Sequence, residues 1–292
     1  MPTTQLDRRY AREDETGEAL RTLRIAYTPD SDDAFNFYAW EHNRVSLPGF
    51  APTFERDHIV ALNRAAEEGK HDVIGVSSAI YPKLAPHYFI LSVGTSVGRG
   101  YGPVLAARER TTLAALRGKR IAVGGLPTTG AALAAIYCPG AQLIERRYDL
   151  IADAVARGEF DAGVMIHEEL LFFEQKGLCA VADLGATWCS DTMLPLPVGL
   201  NLVHRRHGHH GATAIAQTCK RSLLWAMEHV DEAFAFASRF GRGCARQHIE
   251  MFSNADTLCM PADVRQAMRL IFNRVAELGI APTLEQIEVI DA

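Results

Sequence analysis

The chain has 292 residues, a formal net charge of −5, and hydrophobic and charged shares of 48% and 22%. These values are typical of a globular protein built from one large domain or two modest ones. The negative charge argues against the basic surface of a nucleic-acid-binding protein, and no run of about 18 apolar residues predicts a membrane span. We therefore expect no nucleic-acid partner and no membrane span.

The amino-terminal residues and the cysteines together predict the compartment. Residues 1–22 are polar and charged, lack the apolar segment of a secretory signal, and predict a disordered extension. None of the six cysteines has C-x-x-C spacing, so neither a zinc site nor a redox motif is indicated, and reduced thiols are expected. Both features favour a cytoplasmic protein.

Strands and helices alternate along the rest of the chain. A buried strand over residues 23–27 is followed by a polar turn and by a helix from about Asp33. A helix that ends near Gly69 and a strand over residues 72–76 come next. Later strands are predicted in "GPVLAAR" (102–108), "KRIAVGGL" (119–126) and "LPVGLNLVHR" (196–205), with a helix in "TTGAALAAIYC" (128–138) and helices throughout after about Ala212. The alternation predicts an α/β fold with largely parallel sheets.

Two segments repeat one pattern of helix, glycine, aspartate and strand: "AAEEGKHDVIGVSS" (65–78) and "AVARGEFDAGVMIH" (154–167). The first strand ends in Ser77 and Ser78, and the second in His167 and Glu168. Ligands of open α/β sheets bind beyond the carboxyl ends of the strands. The repeat therefore predicts two similar lobes that offer polar strand ends to a shared cleft. The alternative is that these residues are polar only because strands end at the surface.

A glycine-rich turn precedes the predicted helix that starts at Thr128, Thr129 and Gly130. The free amides and the dipole of a helix start favour an anionic ligand group, although a threonine there also serves as an ordinary cap. The motif "GRGYGP" (98–103) is not a dinucleotide fingerprint, and its Arg99 could face either the cleft or solvent.

Three acids, Asp30, Asp32 and Asp33, follow the first strand in "TPDSDDAF" (28–35). One of them is expected to cap the next helix, and the others could bind substrate hydroxyls. A metal there is disfavoured because no partner cluster is evident. The histidines of "HRRHGHH" (204–210) are interpreted as part of a solvated loop in preference to a metal site.

Several stretches resemble the 1,4-dihydroxy-6-naphthoate synthase family of the futalosine route to menaquinone. They cover most of residues 23–206 in the order and spacing of the family, and they are "TPDSDDAF", "GVSSAIYPKL", "GRGYGPVL", "LRGKRIAVGGLPTT", "YDLIADAVARGEFDAGVMIHE", "ADLGATW" and "LPLPVGLNLVHR". The resemblance implies a two-lobed fold like that of type II periplasmic binding proteins. Lobe 1 would comprise residues 23–107 and 198–292 and lobe 2 residues 108–197, with hinge strands near Val104–Ala107 and Val198–Val203.

The family's reaction implies a carbon–carbon lyase without a metal or an organic cofactor. It converts cyclic dehypoxanthinylfutalosine to 1,4-dihydroxy-6-naphthoate and dihydroxyacetone in a retro-aldol-like step that a base initiates. The histidine of the family's "IHE" motif corresponds to His167, which is the predicted catalytic residue because imidazole titrates near neutral pH. The predicted substrate-binding residues, from the resemblance and from the patterns above, are Ser77, Ser78, Thr128, Thr129, Asp32, Asp33 and Arg99.

The first motif departs from the family. There it usually reads S-P-C-P-N-D-T-F, whereas this chain has "TPDSDDAF", so that Asp33 matches the family aspartate but Asp32 replaces its asparagine. An added carboxylate is costly beside a carboxylated substrate unless it is paired. The departure keeps open a paralogue that acts on another small carboxylated compound. A solute-binding protein of a transporter shares the implied fold and is a further alternative, and a monomer and a homodimer are both compatible with the sequence.

Overall fold

A computed structural model describes residues 19–292 of the chain. Its strands are β1 Arg21–Tyr27, β2 Phe50–Arg56, β3 Val73–Ser77, β4 Tyr88–Leu91, β5 Ser96–Gly98, β6 Val104–Ala107, β7 Arg120–Val123, β8 Gln142–Glu145, β9 Ala162–Met165, β10 Cys179–Asp183, β11 Leu196–His204 and β12 Val289–Ile290.

The α-helices are α1 Ser31–Glu41, α2 Ile59–Glu67, α3 Tyr81–Leu84, α4 Thr129–Tyr137, α5 Ile151–Ala156, α6 Leu184–Thr192, α7 Gly208–Glu228, α8 Val230–Ala237, α9 Ala245–Phe252, α10 Ala255–Leu258 and α11 Ala262–Glu277. Short 3₁₀ turns span Ser78–Ile80, Ala114–Leu116, Tyr148–Leu150, His167–Leu171, Phe173–Lys176 and Arg205–His207.

The strands form two sheets, and the predicted α/β class is confirmed. The first sheet has the order β12-β4-β11-β3-β1-β2, and β5 also pairs with β11; the second has the order β10-β6-β9-β7-β8. Strand β1 runs parallel to β2 and β3, whereas β11 runs antiparallel to β3 and β4. In the second sheet β7 runs parallel to β8 and β9, and β6 runs antiparallel to β9 and β10. Both sheets are therefore mixed, with a parallel part that carries the helix–glycine–strand repeat.

The second sheet is inserted in the chain between β5 and β11 of the first. The two crossings between the sheets are residues 99–103 and 193–195, and they lie side by side because Gly98 pairs with Leu196. Val104–Ala107 was expected as a hinge of lobe 1, and this expectation is wrong, since β6 pairs with β9 and β10 inside the second sheet. The motif "GRGYGP" forms the first crossing instead. The limits of the two lobes as independent units stay a prediction.

The repeat unit has the local structure that its glycines predict. Helix α2 ends before Gly69 and α5 before Gly158, and both glycines are in the left-handed region, with φ of +64° and +79°. A residue without Cβ adopts this conformation without strain, so it ends a helix and redirects the chain. Each chain segment then enters a buried strand, β3 or β9, whose carboxyl end faces the other sheet.

Two hydrophobic clusters hold the elements together. The larger cluster runs through both sheets and includes Ile74, Val164 and Trp188, all of which are buried. The smaller cluster joins one face of the first sheet to α1 and α7 through residues such as Phe37 and Leu223. Burial of large aromatic and aliphatic side chains of this kind contributes roughly 1.5–3 kcal/mol each to stability.

Some expectations about the ends of the chain differ from the structure. The expected extension covers residues 1–22, of which residues 1–18 lie outside the described residues, whereas Arg21 and Thr22 are part of β1 and pair with β2. The carboxyl-terminal region is not wholly helical, because β12 adds a strand beside β4. All six cysteines are free thiols, as expected. In residues 19–292, no helix has the length and apolarity that a bilayer crossing requires.

Candidate active site

A cavity with about 720 Å³ of empty space lies between the two sheets. It is lined from the first sheet by residues at the carboxyl ends of its strands and on the neighbouring loops: Thr28, Asp30, Asp32, Asp33, Ser77, Gly94, Ser96 and Asn201. From the second sheet it is lined by residues that follow β7 and β9: Thr128, Thr129, Gly130, Ile166, His167 and Leu170. Ser77, Thr128, Thr129 and His167, which the sequence places at strand ends or helix starts, therefore meet at one cavity.

His167 is the first residue of the 3₁₀ turn after β9. Its φ of +53° puts it in the left-handed region, which costs a non-glycine residue of order 1–3 kcal/mol and recurs at functional sites. Its Nδ1 lies 2.6 Å from Oδ2 of Asp30, and its ring lies 4.6 Å from that of Tyr148 between centroids. Its Nε2 is buried without a hydrogen-bond partner among the described residues, and the side chain borders the cavity.

Glu168 turns away from the cavity and joins the two sheets. It is fully buried, and its Oε1 accepts hydrogen bonds from the amide and the hydroxyl of Ser31, at 3.0 and 2.8 Å. Ser31 is the first residue of α1, so the carboxylate of one sheet stabilises the positive start of a helix on the other. Asp30 holds the N-cap position but makes no side-chain cap bond, which leaves its carboxyl for His167.

The three aspartates form a buried acidic cluster around Thr28. The Thr28 hydroxyl lies 2.7 Å from Oδ2 of Asp30 and 2.6 Å from Oδ2 of Asp33, and the Thr28 amide donates to Asp33 at 3.1 Å. Burial, together with the charges of the neighbouring carboxylates, raises the pKa values of Asp30 and Asp32 well above their usual range. Burial also raises the pKa of Asp33, although the hydrogen bonds from Thr28 oppose it.

A second imidazole, that of His248, stands beside the acids. His248 lies on α9, is 2% exposed, and places Nδ1 3.3 Å from Oδ1 of Asp32 and 3.7 Å from Oε1 of Glu168. Burial lowers the pKa of His248 to about 4. Burial also lowers the pKa of His167 below its usual value. Nearby carboxylates act in the opposite direction on both pKa values, but their effect is smaller. Both rings are therefore neutral near pH 7, the state in which an imidazole accepts a proton.

The start of α4 and the end of β3 also line the cavity. The Thr128 hydroxyl caps α4 by accepting from the Ala131 amide at 3.2 Å, so the capping role and the cavity-lining role coexist. The Thr129 hydroxyl donates to the Val198 carbonyl at 2.6 Å. Gly130 lets α4 approach β9, since a Cβ there would lie 2.9 Å from Cγ1 of Val164. The first amides of a helix lack acceptors within it, so the start of α4 suits an anionic group.

Oxygen atoms of Asp30, Asp32 and Asp33 lie within 4.8 Å of one another and form the group in residues 19–292 that could surround a metal ion. Two of these carboxyls already contact Thr28, and Asp30 also contacts His167. The hydrogen-bonding partners account for the cluster, and we assign no metal to it.

The amino-acid pattern and the structure were compared with known proteins. A family model described as menaquinone biosynthesis matches residues 23–277. A 1,4-dihydroxy-6-naphthoate synthase of Thermus thermophilus is 35% identical over 90% of this chain and 97% of its own length. Its namesake from Streptomyces coelicolor is 33% identical over 90% of this chain and 96% of its own length. This chain belongs to the menaquinone biosynthesis family.

Solved structures extend the comparison to the fold. A crystal structure of a protein from Archaeoglobus fulgidus has a TM-score of 0.84 and 35% identity, and covers 89% of this chain and 98% of that chain. The alkanesulfonate-binding protein of Xanthomonas axonopodis pv. citri has a TM-score of 0.69 at 15% identity, and covers 93% of this chain and 98% of that chain. The fold is therefore that of the periplasmic binding proteins, as the resemblance implied.

Within this member of the menaquinone biosynthesis family, Arg99 and Ser78 lie away from the cavity. The guanidinium of Arg99 forms ion pairs with Asp256 at 2.6 Å and with Asp263 at 2.8 Å, so the expectation that it binds substrate is wrong. Ser78 is fully buried at the start of a 3₁₀ turn and does not line the cavity. For Arg99, two acids that are distant in sequence decide where the guanidinium lies, and the local pattern does not reveal them.

The histidines of residues 204–210 are not a loop. They cover the end of β11, a 3₁₀ turn and the start of α7, and His207 contacts Asp72 at 2.9 Å. The expectation of a loop is therefore wrong, although His209 and His210 are exposed to solvent as expected, and only His207 is drawn into contact with the first sheet by Asp72. No metal-binding group was found at these histidines within residues 19–292.

His248, Asn201 and the contact of Asp30 with an imidazole were not predicted from the sequence. His248 stands alone on an amphipathic helix among apolar residues, a pattern shared by many core histidines, so no signal was available. Asn201 had a signal, since it is the one amide in the apolar strand β11. It lies against Gly94, whose added Cβ would come within 2.0 Å of the Asn201 amide nitrogen. Asp30 was expected to cap a helix or to bind a substrate hydroxyl, and its contact with an imidazole was not predicted.

Proposed function

We propose that the protein is a 1,4-dihydroxy-6-naphthoate synthase, a carbon–carbon lyase of menaquinone biosynthesis. Its substrate would be cyclic dehypoxanthinylfutalosine, and its products 1,4-dihydroxy-6-naphthoate and dihydroxyacetone. Family membership and the names of the two curated relatives support the proposal. The observation that carries it is Nε2 of His167, which has no hydrogen-bond partner within residues 19–292 and belongs to a side chain that borders a cavity between the sheets.

His167 is the proposed general base. A retro-aldol-type cleavage needs a group that removes a proton as the carbon–carbon bond breaks, and a neutral imidazole at the bond is suited to this task. Burial lowers the pKa of His167 and so keeps the ring neutral near pH 7. A cleft that only binds a ligand does not require a buried imidazole with one nitrogen in contact with a carboxylate and the other available as a proton acceptor.

The start of α4 suits the carboxylate of the substrate, because its first amides lack acceptors within the helix. Ser77, Thr128 and Thr129 line the same cavity. The aspartates, which also line it, suit donor groups such as substrate hydroxyls. Ser77, Thr128, Thr129, Asp32 and Asp33 are accordingly the proposed substrate-binding residues.

The resemblance implies that the reaction proceeds without a metal or an organic cofactor. The products of the curated relatives are small molecules of biosynthesis, and we propose a cytoplasmic location for this enzyme. A monomer or a homodimer is compatible with the proposal. Cell fractionation measures the location, and light scattering of the purified protein measures the oligomeric state.

A second candidate is a paralogous lyase with another small carboxylated substrate. Asp30 and Asp32, which stand where the family motif usually has cysteine and asparagine, favour it. Two added carboxyl groups change the charge and the donors that a substrate meets on this side of the cavity.

The deciding experiment incubates the purified full-length protein with cyclic dehypoxanthinylfutalosine and follows the products by mass spectrometry. Formation of 1,4-dihydroxy-6-naphthoate and dihydroxyacetone in equal amounts, lost in His167→Asn, is the expected result. Turnover by the protein only of other carboxylated cyclic compounds would favour the paralogue. Tight binding of a small carboxylate without turnover of any compound would contradict an enzymatic role.

A further inference from the structure

We propose that Asp30 is a positioning residue for His167, whose Nδ1–H it accepts so that Nε2 is left as the proton acceptor at the cavity. The inference rests on the proposed function for its kinetic consequence, since it assigns the partner of the proposed base. Its structural part, the tautomer of one imidazole, can be tested without any substrate.

The contact between the two residues is close and enclosed. Oδ2 of Asp30 lies 2.6 Å from Nδ1 of His167, and the Asp30 side chain is only 3% exposed. The residues come from different sheets, because Asp30 follows β1 and His167 follows β9. The contact therefore holds the imidazole across the cavity while the backbone of His167 stays at φ +53°. A neutral imidazole donates from one nitrogen and accepts at the other, so the partner of Nδ1 sets the role of Nε2.

The contacts of Asp30 suit it as the acceptor from His167. Its Oδ2 lies 2.7 Å from the Thr28 hydroxyl and also contacts Nδ1 of His167. One carboxylate oxygen has two lone pairs and can accept from both donors.

This pairing is a property of this chain and not of the family motif. The motif S-P-C-P-N-D-T-F has cysteine where this chain has Asp30, and a thiol is a much weaker partner for an imidazole than a carboxylate. Asp30 therefore marks a different way of holding the same base. Partners that orient metal-bound histidines typically change activity by about 10-fold to 100-fold when they are removed, and we expect a loss of that order for Asp30.

Other charged and titratable groups also face His167. They are Glu168 on its own turn, Asp32 and Asp33 on α1, His248 on α9, Tyr148 before α5, and Arg242 between α8 and α9. Asp30 is distinguished from these groups by direct contact with Nδ1.

The test measures the imidazole tautomer and the kinetics of Asp30→Asn. In ¹⁵N NMR of the wild type near pH 8, the His167 ring, assigned by its absence from His167→Asn, is expected as the Nδ1–H tautomer. In Asp30→Asn the side-chain amide can donate to Nδ1, and the ring is expected to change to the Nε2–H tautomer. We expect kcat to fall by about 10-fold to 100-fold with KM within about threefold of the wild type. The acid limb of the pH profile is expected to move to lower pH, since the carboxylate that favours imidazolium is gone.

Asp72→Asn is the matched control, because Asp72 contacts His207 in another buried pair outside the cavity. It is expected to leave the His167 tautomer, kcat and the pH profile unchanged. If Asp30→Asn does not fold, the tautomer of His167 in the wild type still tests the proposal. An Nε2–H tautomer in the wild type, or an unchanged tautomer and kcat in folded Asp30→Asn, overturns the proposal. A tautomer that changes in Asp30→Asn while the wild type turns over no cyclic dehypoxanthinylfutalosine supports the positioning role and counts against the proposed function alone.

Discussion

The two ends of strand β3 each lie near a contact between a buried aspartate and a histidine. Before the amino end, Asp72 contacts His207 at 2.9 Å and is also 3.6 Å from Arg24 and 3.7 Å from Arg206. Burial opposes the ionisation of Asp72, but hydrogen bonds from His207 and the Arg24 amide, with the charge of Arg206, lower its pKa to about 2. We refer to Asp72 and His207 as the edge pair.

Beyond the carboxyl end, Asp30 contacts His167 at 2.6 Å in the cavity. In the described part of the chain, the ion-pair contacts of Asp30 and Asp32 are with histidines, and further carboxyls surround them. Burial and these carboxyls raise the pKa of Asp30. We refer to Asp30 and His167 as the cleft pair. The same two side-chain types therefore stabilise the fold where cations surround them, and form a reactive site where acids surround them.

The largest expected difference between the two pairs is catalytic. His167→Asn is expected to lower kcat by about 10²-fold to 10⁴-fold with little change in substrate affinity, because a general base acts in the transition state. His207→Asn is expected to leave kcat unchanged. Steady-state kinetics of the two variants, with affinity measured by calorimetry, check this expectation. Near-normal kcat in His167→Asn on a verified substrate would show that His167 is not the base.

The pH dependence of activity tests the cleft pair in the unaltered protein. Burial lowers the pKa of His167 below its ordinary 6.5, so kcat should be level near neutral pH and fall about tenfold per pH unit only below pH 6.5. Below its pKa the ring is already protonated and cannot accept another proton, so kcat decreases as the pH falls. Rates measured in buffers of constant ionic strength give the profile. If kcat already begins to fall above pH 6.5, His167 is not a buried base that is neutral near pH 7.

Glu168 separates the contact between the sheets from the chemistry of the cleft pair. Glu168→Gln keeps an oxygen that can accept from the Ser31 amide, now 3.0 Å from Oε1, but it removes the charge at the start of α1. We expect kcat to fall by no more than about tenfold, which is less than in His167→Asn. Parallel assays of Glu168→Gln and His167→Asn show which variant loses more of the wild-type kcat. A larger loss in Glu168→Gln would assign Glu168 a direct part in the reaction.

The edge pair is expected to affect stability instead. Asp72→Asn should lower the free energy of unfolding near pH 7 by roughly 1–3 kcal/mol, because a buried charge-assisted contact is lost. The folded pKa of Asp72, about 2, lies below its ordinary 3.8, so its contribution is present above pH 3.8 and is lost as the pH falls toward 2. Urea unfolding of wild type and variant at several pH values should show the difference shrink over this range. If the difference in free energy of unfolding between the two proteins grows as the pH falls, ionised Asp72 does not stabilise the fold.

The smallest effect is expected at Arg99, which was first interpreted as a possible cleft residue. Its ion pairs with Asp256 and Asp263 involve a half-exposed guanidinium, and exposed pairs contribute about 0–1 kcal/mol. Arg99→Ala should therefore leave KM unchanged and reduce stability only slightly. A several-fold rise in KM would mean that Arg99 reaches the substrate.

Much of the fold could be predicted from short-range patterns. Gly69 and Gly158 end their helices in the left-handed region, and the apolar runs after them form β3 and β9, because helix ends and buried strands depend on neighbouring residues. The same logic placed Ser77, Thr128, Thr129 and His167 at one cavity, since polar residues at the carboxyl ends of strands meet at the same edge of a sheet. The resemblance to a known family supplied the expected fold and reaction.

The partners of these residues could not be predicted in the same way. Asp30 and His167 are separated by more than one hundred positions, and so are Glu168 and its partner Ser31, so their contacts depend on how one sheet faces the other. His248 reaches the site from a carboxyl-terminal helix that has no distinctive pattern, and Arg99 pairs with acids of that same region.

The amino-acid sequence by itself therefore determined where strands end, which residues they present, and to which family the pattern is similar. The tertiary structure decided which nitrogen of His167 is held, which acids lie together, and which charged residues only support the fold. The reason is physical: backbone conformation follows from local sterics and hydrogen bonding, whereas the ionisation of a buried group depends on all the charges and donors that folding brings within a few ångströms of it.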